Sequence, residues 1–186
     1  MWPLLLGLWK ARRARKAAVT AIAPFVQRSR RRLGDIPETA WLDPYLVGFV
    51  VMFITLVARR QVDALDSQAL GLAQCSAWGE ITGMKPDLIG EETLHCCEIG
   101  DRDFERGCRD AMTVDLALYR SSIMRHGDLG VMRLQDDSGF DIAGERDCEV
   151  DDIMQLWDGF FEAQVLQTGL HRHAPERASD VAHRAG

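Results

Sequence analysis

The sequence predicts an all-α fold, a single bundle of five or six helices around a central apolar helix at about residues 44–60. Apolar residues recur at spacings of three and four along several segments, as they do on one face of a helix. One segment, Tyr45–Ala58, is apolar around nearly its whole circumference, which is typical of a helix that other helices enclose. No strands alternate with helices as a βαβ fold requires. With 186 residues, 47% of them apolar and 27% charged, the chain is expected to form one hydrophobic core.

The first predicted helix, Ala11–Arg32, is basic and has a rough helical spacing of apolar residues. Pro24 lies in its path, so a kink or break is expected near Ala23. Gly34 is expected to end the helix. The segment that follows, Asp35–Asp43, is expected to be a loop.

The second helix has the clearest predicted start. Asp43 is suited to the N-cap and Pro44 to the first helical position, while Arg59 and Arg60 close the apolar run. The run is about 15 residues long, which is shorter than the roughly 20 residues that cross a bilayer. We therefore predict a buried central helix, with partial membrane insertion as the alternative.

Two further helices follow. Asp66 or Ser67 can cap a third helix that runs to about Thr82, and Pro86 opens a short fourth helix over Asp87–Ile99. The third helix has an edge of small residues, which is expected to let another helix approach closely: Gly71, Gly79 and Gly83.

The last two predicted helices are amphipathic. The fifth ends near Gly127, and the sixth follows acidic residues that suit a helix N-terminus. Their apolar stripes are Phe104, Cys108, Met112, Leu116, Tyr119 and Ile123 in the fifth helix, and Val150, Ile153, Met154, Leu156, Trp157, Phe160, Phe161 and Val165 in the sixth. Between them, Asp128–Glu149 is rich in glycine and acidic residues and predicts either a short β-hairpin at 130–145 or a loop. We divide the chain into a basic arm or helix (1–34), a helical bundle domain (35–170) and a disordered tail (171–186).

Charge is distributed very unevenly along the chain. Residues 1–34 hold nine lysines and arginines and no acidic residue, whereas the remainder carries 13 basic and 28 acidic residues. A cationic arm on an acidic body indicates an anionic partner, and tryptophan and leucine beside the first basic residues favour a membrane surface. The candidate contact residues are Trp2, Trp9, Lys10, Arg12, Arg13, Arg15, Lys16, Arg30, Arg31 and Arg32. Two alternatives stay open: the arm folds back on the acidic body, or it is an organelle transit peptide that is cleaved.

We therefore expect a non-enzymatic helical interaction protein that is peripherally associated with an anionic membrane surface. It would be cytoplasmic, at the inner face of a membrane, and would also bind an unidentified protein partner in a groove of the bundle. The sequence contains no G-x-S-x-G, Walker A or G-x-G-x-x-G motif, so nothing in it indicates an enzyme. No cofactor is expected.

A metal-binding module or metal-dependent enzyme is the first alternative. Glu92 and His95 form an E-x-x-H motif, and Cys96 and Cys97 adjoin it. However, adjacent helical residues diverge by about 100°, so the two cysteines cannot readily chelate one ion. A third alternative is nucleic-acid binding through Arg28–Arg32, although no aromatic residues interleave this basic run.

Overall fold

The computed structural model describes residues 2–125 and 150–171, and within these ranges the chain is an all-α bundle without strands. The helix at residues 150–171 is continuous and contains a π-helical turn between two α-helical parts. In chain order the elements are α1 (Trp2–Leu33), α2 (Glu38–Trp41), α3 (Pro44–Gln61), α4 (Ser67–Thr82), α5 (Pro86–Ile99), α6 (Arg102–Arg125), α7 (Val150–Trp157), the π-helical turn (Asp158–Glu162) and α8 (Ala163–His171).

The predicted central helix is confirmed. The Asp43 carboxylate accepts hydrogen bonds from the backbone N–H groups of Tyr45 (3.1 Å) and Leu46 (3.3 Å), and Pro44 occupies the first turn. Every residue from Tyr45 to Val51 is buried, because α1, α4 and α6 pack around α3. By length and composition α3 could also cross a membrane, and it is the one described helix for which this holds. Its burial, 61% of the helix, is that of a core helix.

Helix α1 is longer and more continuous than predicted. It begins at Trp2 rather than at Ala11, and it runs through Pro24 without the expected break. Proline removes one hydrogen bond to the carbonyl four residues earlier, here that of Thr20. Both residues are exposed, so water can satisfy this carbonyl, while fully buried Ile22 and nearly fully buried Val26 hold the helix against the core.

A short helix occupies part of the predicted loop. Helix α2 forms because Trp41 is buried, with its ring centroid 6.1 Å from that of Trp78 and 5.8 Å from that of Phe161. The prediction of a loop over Asp35–Asp43 was therefore wrong for these four residues.

The closest helix contact in the described bundle joins α3 to α6. A Cβ atom on Gly48 would lie 2.2 Å from the carbonyl oxygen of Phe104, and one on Gly107 would lie 2.1 Å from that of Tyr45. Because backbone meets backbone at both positions, only glycine fits. Of the predicted glycine edge at α4, Gly79 has the expected role, since a Cβ there would lie 2.9 Å from the ring of Pro86, the first residue of α5. Gly71 and Gly83 do not, because a Cβ on either would contact nothing within 4 Å.

This close approach also changes which face of α6 is buried. The buried residues of α6 are mostly small, with Gly107, Ala111 and Val114 among them. Of the predicted stripe, Phe104 is buried and Cys108 is half-buried, whereas three further members lie exposed: Met112, Leu116 and Tyr119.

Several predictions fall outside the described residues. These are the hairpin or loop at 130–145 and the predicted disordered tail at 171–186, except for His171, which ends α8. The division into arm, bundle and tail stays a prediction, although Ala18, Ile22 and Val26 of α1 belong to the same core as α3.

Candidate anionic-surface interface

Helix α1 has a buried face and an opposite face that combines apolar and cationic side chains. Ala11, Ala14 and Ala18 face the bundle and are buried. Trp9, Arg13 and Lys16 follow the same helical spacing on the other side, and all three are exposed. Two leucines near Trp9 in the chain are exposed as well: Leu6, Leu8 and Trp9 are 48%, 51% and 55% exposed, respectively. The Arg13 guanidinium lies 5.7 Å from the centroid of the Trp9 ring, so cation and indole share one surface.

The basic residues in the N-terminal half of α1 differ in the groups that they contact. Lys10 donates a hydrogen bond to the carbonyl of Ala64 (2.8 Å), and Arg15 pairs with Glu80 (3.1 Å). Three others have no acidic partner within the described ranges: Arg12, Arg13 and Lys16. The indole of Trp9 and these three cations are therefore available to a partner, whereas the side chain of Trp2 lies outside the described residues.

The basic residues at the other end of α1 contact the bundle. Arg30 donates to the carbonyls of Thr82 (3.0 Å) and Ile81 (3.4 Å) at the end of α4, where helix carbonyls lack partners. Arg32 pairs with Glu162 (3.1 Å) and with Asp158. Arg31 is exposed and has no acidic partner in the described part of the chain.

A buried polar network joins α1 to the C-terminal helix. The hydroxyl of fully buried Ser29 donates to Glu162 (2.8 Å) and accepts a hydrogen bond from the indole N–H of Trp157 (2.9 Å). Arg28 contacts both oxygens of Asp158, and this hydrogen bonding lowers the pKa of the Asp158 carboxyl. Sequence reasoning missed this network because its two halves lie more than 120 residues apart. The only local signal is the pairing of acidic and buried aromatic residues at positions 157–162.

An open groove lies between α1, α3 and α6 beside the exposed surface of α1. Its volume is about 450 Å³, and its polar lining includes Arg13, Lys16, Thr20 and Gln61. Arg60 also lines it, pairs with Asp115 of α6, and lies 4.6 Å from the centroid of the Tyr119 ring. A second groove of about 540 Å³ lies between α1 and α4, with Arg12 and Arg15 in its lining. Neither groove is evident from the sequence, because each is formed by segments far apart in the chain.

The predicted metal candidates do not converge. On α5 the Cys96 side chain is buried, whereas His95 and Cys97 are exposed and Glu92 is half-buried. Within residues 2–125 and 150–171, no three histidine, cysteine or acidic side chains are placed to hold a metal ion. Burial raises the pKa of the Cys96 thiol and raises that of the Cys108 thiol to about 11, so Cys108 is protonated at neutral pH.

The surface of α1 from Leu6 to Lys16 thus offers an indole, leucine side chains and cations to one partner. This combination suits a boundary that is anionic on one side and apolar on the other. In comparisons with known proteins, no family model, no curated protein and no solved structure matches the chain.

Proposed function

We propose that the protein is a non-enzymatic, peripheral membrane protein at the cytoplasmic face of a membrane. The N-terminal half of α1 would contact anionic lipid. The observation that carries this proposal is that Trp9, Arg13 and Lys16 lie on the same exposed side of α1, with the Arg13 guanidinium 5.7 Å from the centroid of the Trp9 ring. Leu6, Leu8 and Arg12 are exposed near them on the same half of the helix. Because the opposite face of α1 packs on the bundle, this surface faces away from the protein core.

The expected energies favour reversible binding. A lysine or arginine near an anionic surface contributes about 1 kcal/mol, and partial burial of a large apolar side chain contributes roughly 1–2 kcal/mol. Neither contribution alone gives stable attachment, since a stable anchor needs two signals. The exposed surface of α1 supplies both, so binding should require anionic lipid and should weaken as salt is raised.

The contacts of the other basic residues favour lipid over nucleic acid. Arg28, Arg30 and Arg32 are engaged by acidic groups or by helix carbonyls of the bundle. The basic run at Arg28–Arg32 is therefore largely occupied with intrachain contacts. Among the basic residues of α1 that contact neither an acidic group nor a carbonyl in the described ranges, Arg12, Arg13 and Lys16 share the half of the helix that contains Trp9, and Arg31 alone lies in the basic run.

Vesicle sedimentation tests the proposal. Phosphatidylcholine vesicles with and without phosphatidylserine are mixed with wild-type protein and with the triple variant Arg12→Gln, Arg13→Gln, Lys16→Gln. The matched control changes the charge equally at three exposed arginines elsewhere: Arg59→Gln, Arg102→Gln and Arg120→Gln. We expect the α1 variant to lose at least tenfold in partitioning and the control to stay within about threefold. Equal losses in the two variants would show that net charge, not this surface, governs binding.

Fluorescence of Trp9 gives an independent readout. Trp41, Trp78 and Trp157 are buried, so in a Trp2→Phe background Trp9 is the tryptophan whose environment should change on binding. We expect a blue shift and protection from an aqueous quencher with anionic vesicles, and neither with neutral vesicles. An unchanged spectrum in vesicle-bound protein would place the contact elsewhere.

A further inference from the structure

The groove between α1, α3 and α6 is lined by exposed cationic residues and by less exposed apolar residues, which we call its floor. Arg13 and Lys16 of α1 and Arg60 of α3 line it, and no acidic residue does. Ala17, Ala21 and Val57 provide apolar surface between them.

The charge of this groove is not cancelled by its surroundings. Arg60 is paired with Asp115, which is itself buried and lies outside the lining. Arg13 and Lys16 have no acidic partner in the ranges that the structure describes. About two uncompensated positive charges therefore face the groove, together with the Thr20 hydroxyl and the Gln61 amide as hydrogen-bond donors.

We propose that this groove binds the phosphomonoester headgroup of an anionic lipid, with the adjoining glycerol and acyl region against the apolar floor. A phosphomonoester carries about −1.5 to −2 charges at pH 7 and several strong acceptor oxygens, which matches two free cations and two neutral donors. A volume of about 450 Å³ is within the range of small-molecule sites. The proposal rests on the proposed membrane contact, because Arg13 and Lys16 belong to both.

Soluble short-chain lipids allow the groove to be tested apart from the membrane. Titration calorimetry would compare monomeric dihexanoyl phosphatidic acid, dihexanoyl phosphatidylcholine and inorganic phosphate. We expect saturable binding of the phosphatidic acid, at least tenfold weaker binding of inorganic phosphate, and none of the phosphatidylcholine. Phosphate binding as strong as that of the lipid would overturn the lipid assignment and indicate a site for free phosphate.

Gln61→Glu is the diagnostic variant, because it places one negative charge in the groove with almost no change in shape. Gln68→Glu, at an exposed position of α4, is the matched control. We expect the first to weaken phosphatidic acid binding about five- to tenfold and the second less than twofold. Equal affinities in the two variants would refute the assignment of the groove.

Trp9→Ala separates the two proposals. It should reduce vesicle binding but leave binding of the short-chain phosphatidic acid unchanged, because Trp9 does not line the groove. If vesicle binding is intact and the short-chain lipid does not bind, the groove assignment fails and the membrane contact stands. If the short-chain lipid binds and vesicles do not, the membrane contact fails instead.

Discussion

Replacing Gly107 by alanine tests the contact on which the bundle depends most directly. Gly107 lies on α6 where this helix crosses α3, and α3 packs more extensively against α6 than against any other described helix. A Cβ atom at this position would lie 2.1 Å from the carbonyl oxygen of Tyr45 and 2.9 Å from the backbone nitrogen of Phe49. Both atoms are backbone, so no side-chain rotation can relieve the overlap.

The magnitude follows from how far the helices must move. Ordinary contact for a Cβ atom begins at 3.4 Å, so without other adjustment α3 and α6 would have to separate locally by about 1.3 Å. A gap of about 0.5–1 Å already forfeits a quarter to a half of the dispersion energy of each contact, so this separation would forfeit about half or more. Overpacking of this kind typically costs about 1–3 kcal/mol, while the higher helix propensity of alanine returns about 1 kcal/mol. Because the overlap is between backbone atoms that cannot rotate away, the cost should be at the upper end, about 3 kcal/mol, and we expect a net loss of about 2 kcal/mol in the free energy of unfolding.

Urea unfolding followed by circular dichroism measures this loss by linear extrapolation. The matched control is Gly71→Ala in α4, where the new Cβ would contact nothing within 4 Å. In this variant only the higher helix propensity of alanine changes stability, so we expect its free energy of unfolding to rise by about 0.5–1 kcal/mol. If both variants gain stability equally, α3 and α6 do not approach each other as described.

Two further predictions concern charged groups. Burial raises the pKa of the Asp115 carboxyl, so the bundle disfavours its ionised form. Asp115→Asn should therefore change the free energy of unfolding by less than about 1 kcal/mol in the same urea assay. Arg60→Met leaves the Asp115 carboxylate buried without its cation and should cost about 3 kcal/mol. Hydrogen bonding from Arg28 lowers the pKa of Asp158 in the folded protein. The ionised carboxylate therefore stabilises the fold fully above its unfolded-state pKa of 3.8, and this stabilisation is lost as pH falls through the lower folded-state pKa. Asp158→Asn should therefore reduce stability at pH 7 by about 1 kcal/mol and flatten the loss of stability below pH 4, and a parallel pH profile in wild type and variant would contradict this.

Helix starts were predictable where the signal is local. The carboxylates of Asp43 and Asp66 accept hydrogen bonds from backbone N–H groups two or three residues later. Pro44 follows Asp43 as the first residue of its helix, so both helix starts can be predicted from a few adjacent residues. Gly83 and Gly100 end α4 and α5 with positive φ angles of 83° and 62°, which glycine tolerates best. The central position of α3 was predictable for a different reason: a helix that is apolar on all sides is surrounded either by other helices or by lipid, and an apolar run of about 15 residues is shorter than a bilayer requires.

The buried face of α6 was not predictable, because it depends on its neighbour. Large apolar residues at helical spacing usually mark the buried face, but the close approach at Gly107 admits small side chains only. Met112 and Leu116 are consequently exposed, although they belong to the strongest periodic pattern in this part of the sequence. The same reasoning applies to the groove and to the Ser29 network, whose members come from segments that the sequence does not place side by side.

The charge layout of α1 explains why one end of it is bound to the protein and the other end is available. Like charges four residues apart on a helix repel each other, and α1 contains two such pairs: Arg28 with Arg32, and Arg12 with Lys16. The C-terminal helix relieves the first pair with Asp158 and Glu162. No acidic residue relieves the second pair in the described ranges. An anionic surface would remove this repulsion, so lipid binding should stabilise the N-terminal half of α1 and leave the half held by the Ser29 network unchanged. Amide hydrogen exchange with and without anionic vesicles would detect the difference, and equal protection of both halves would contradict it.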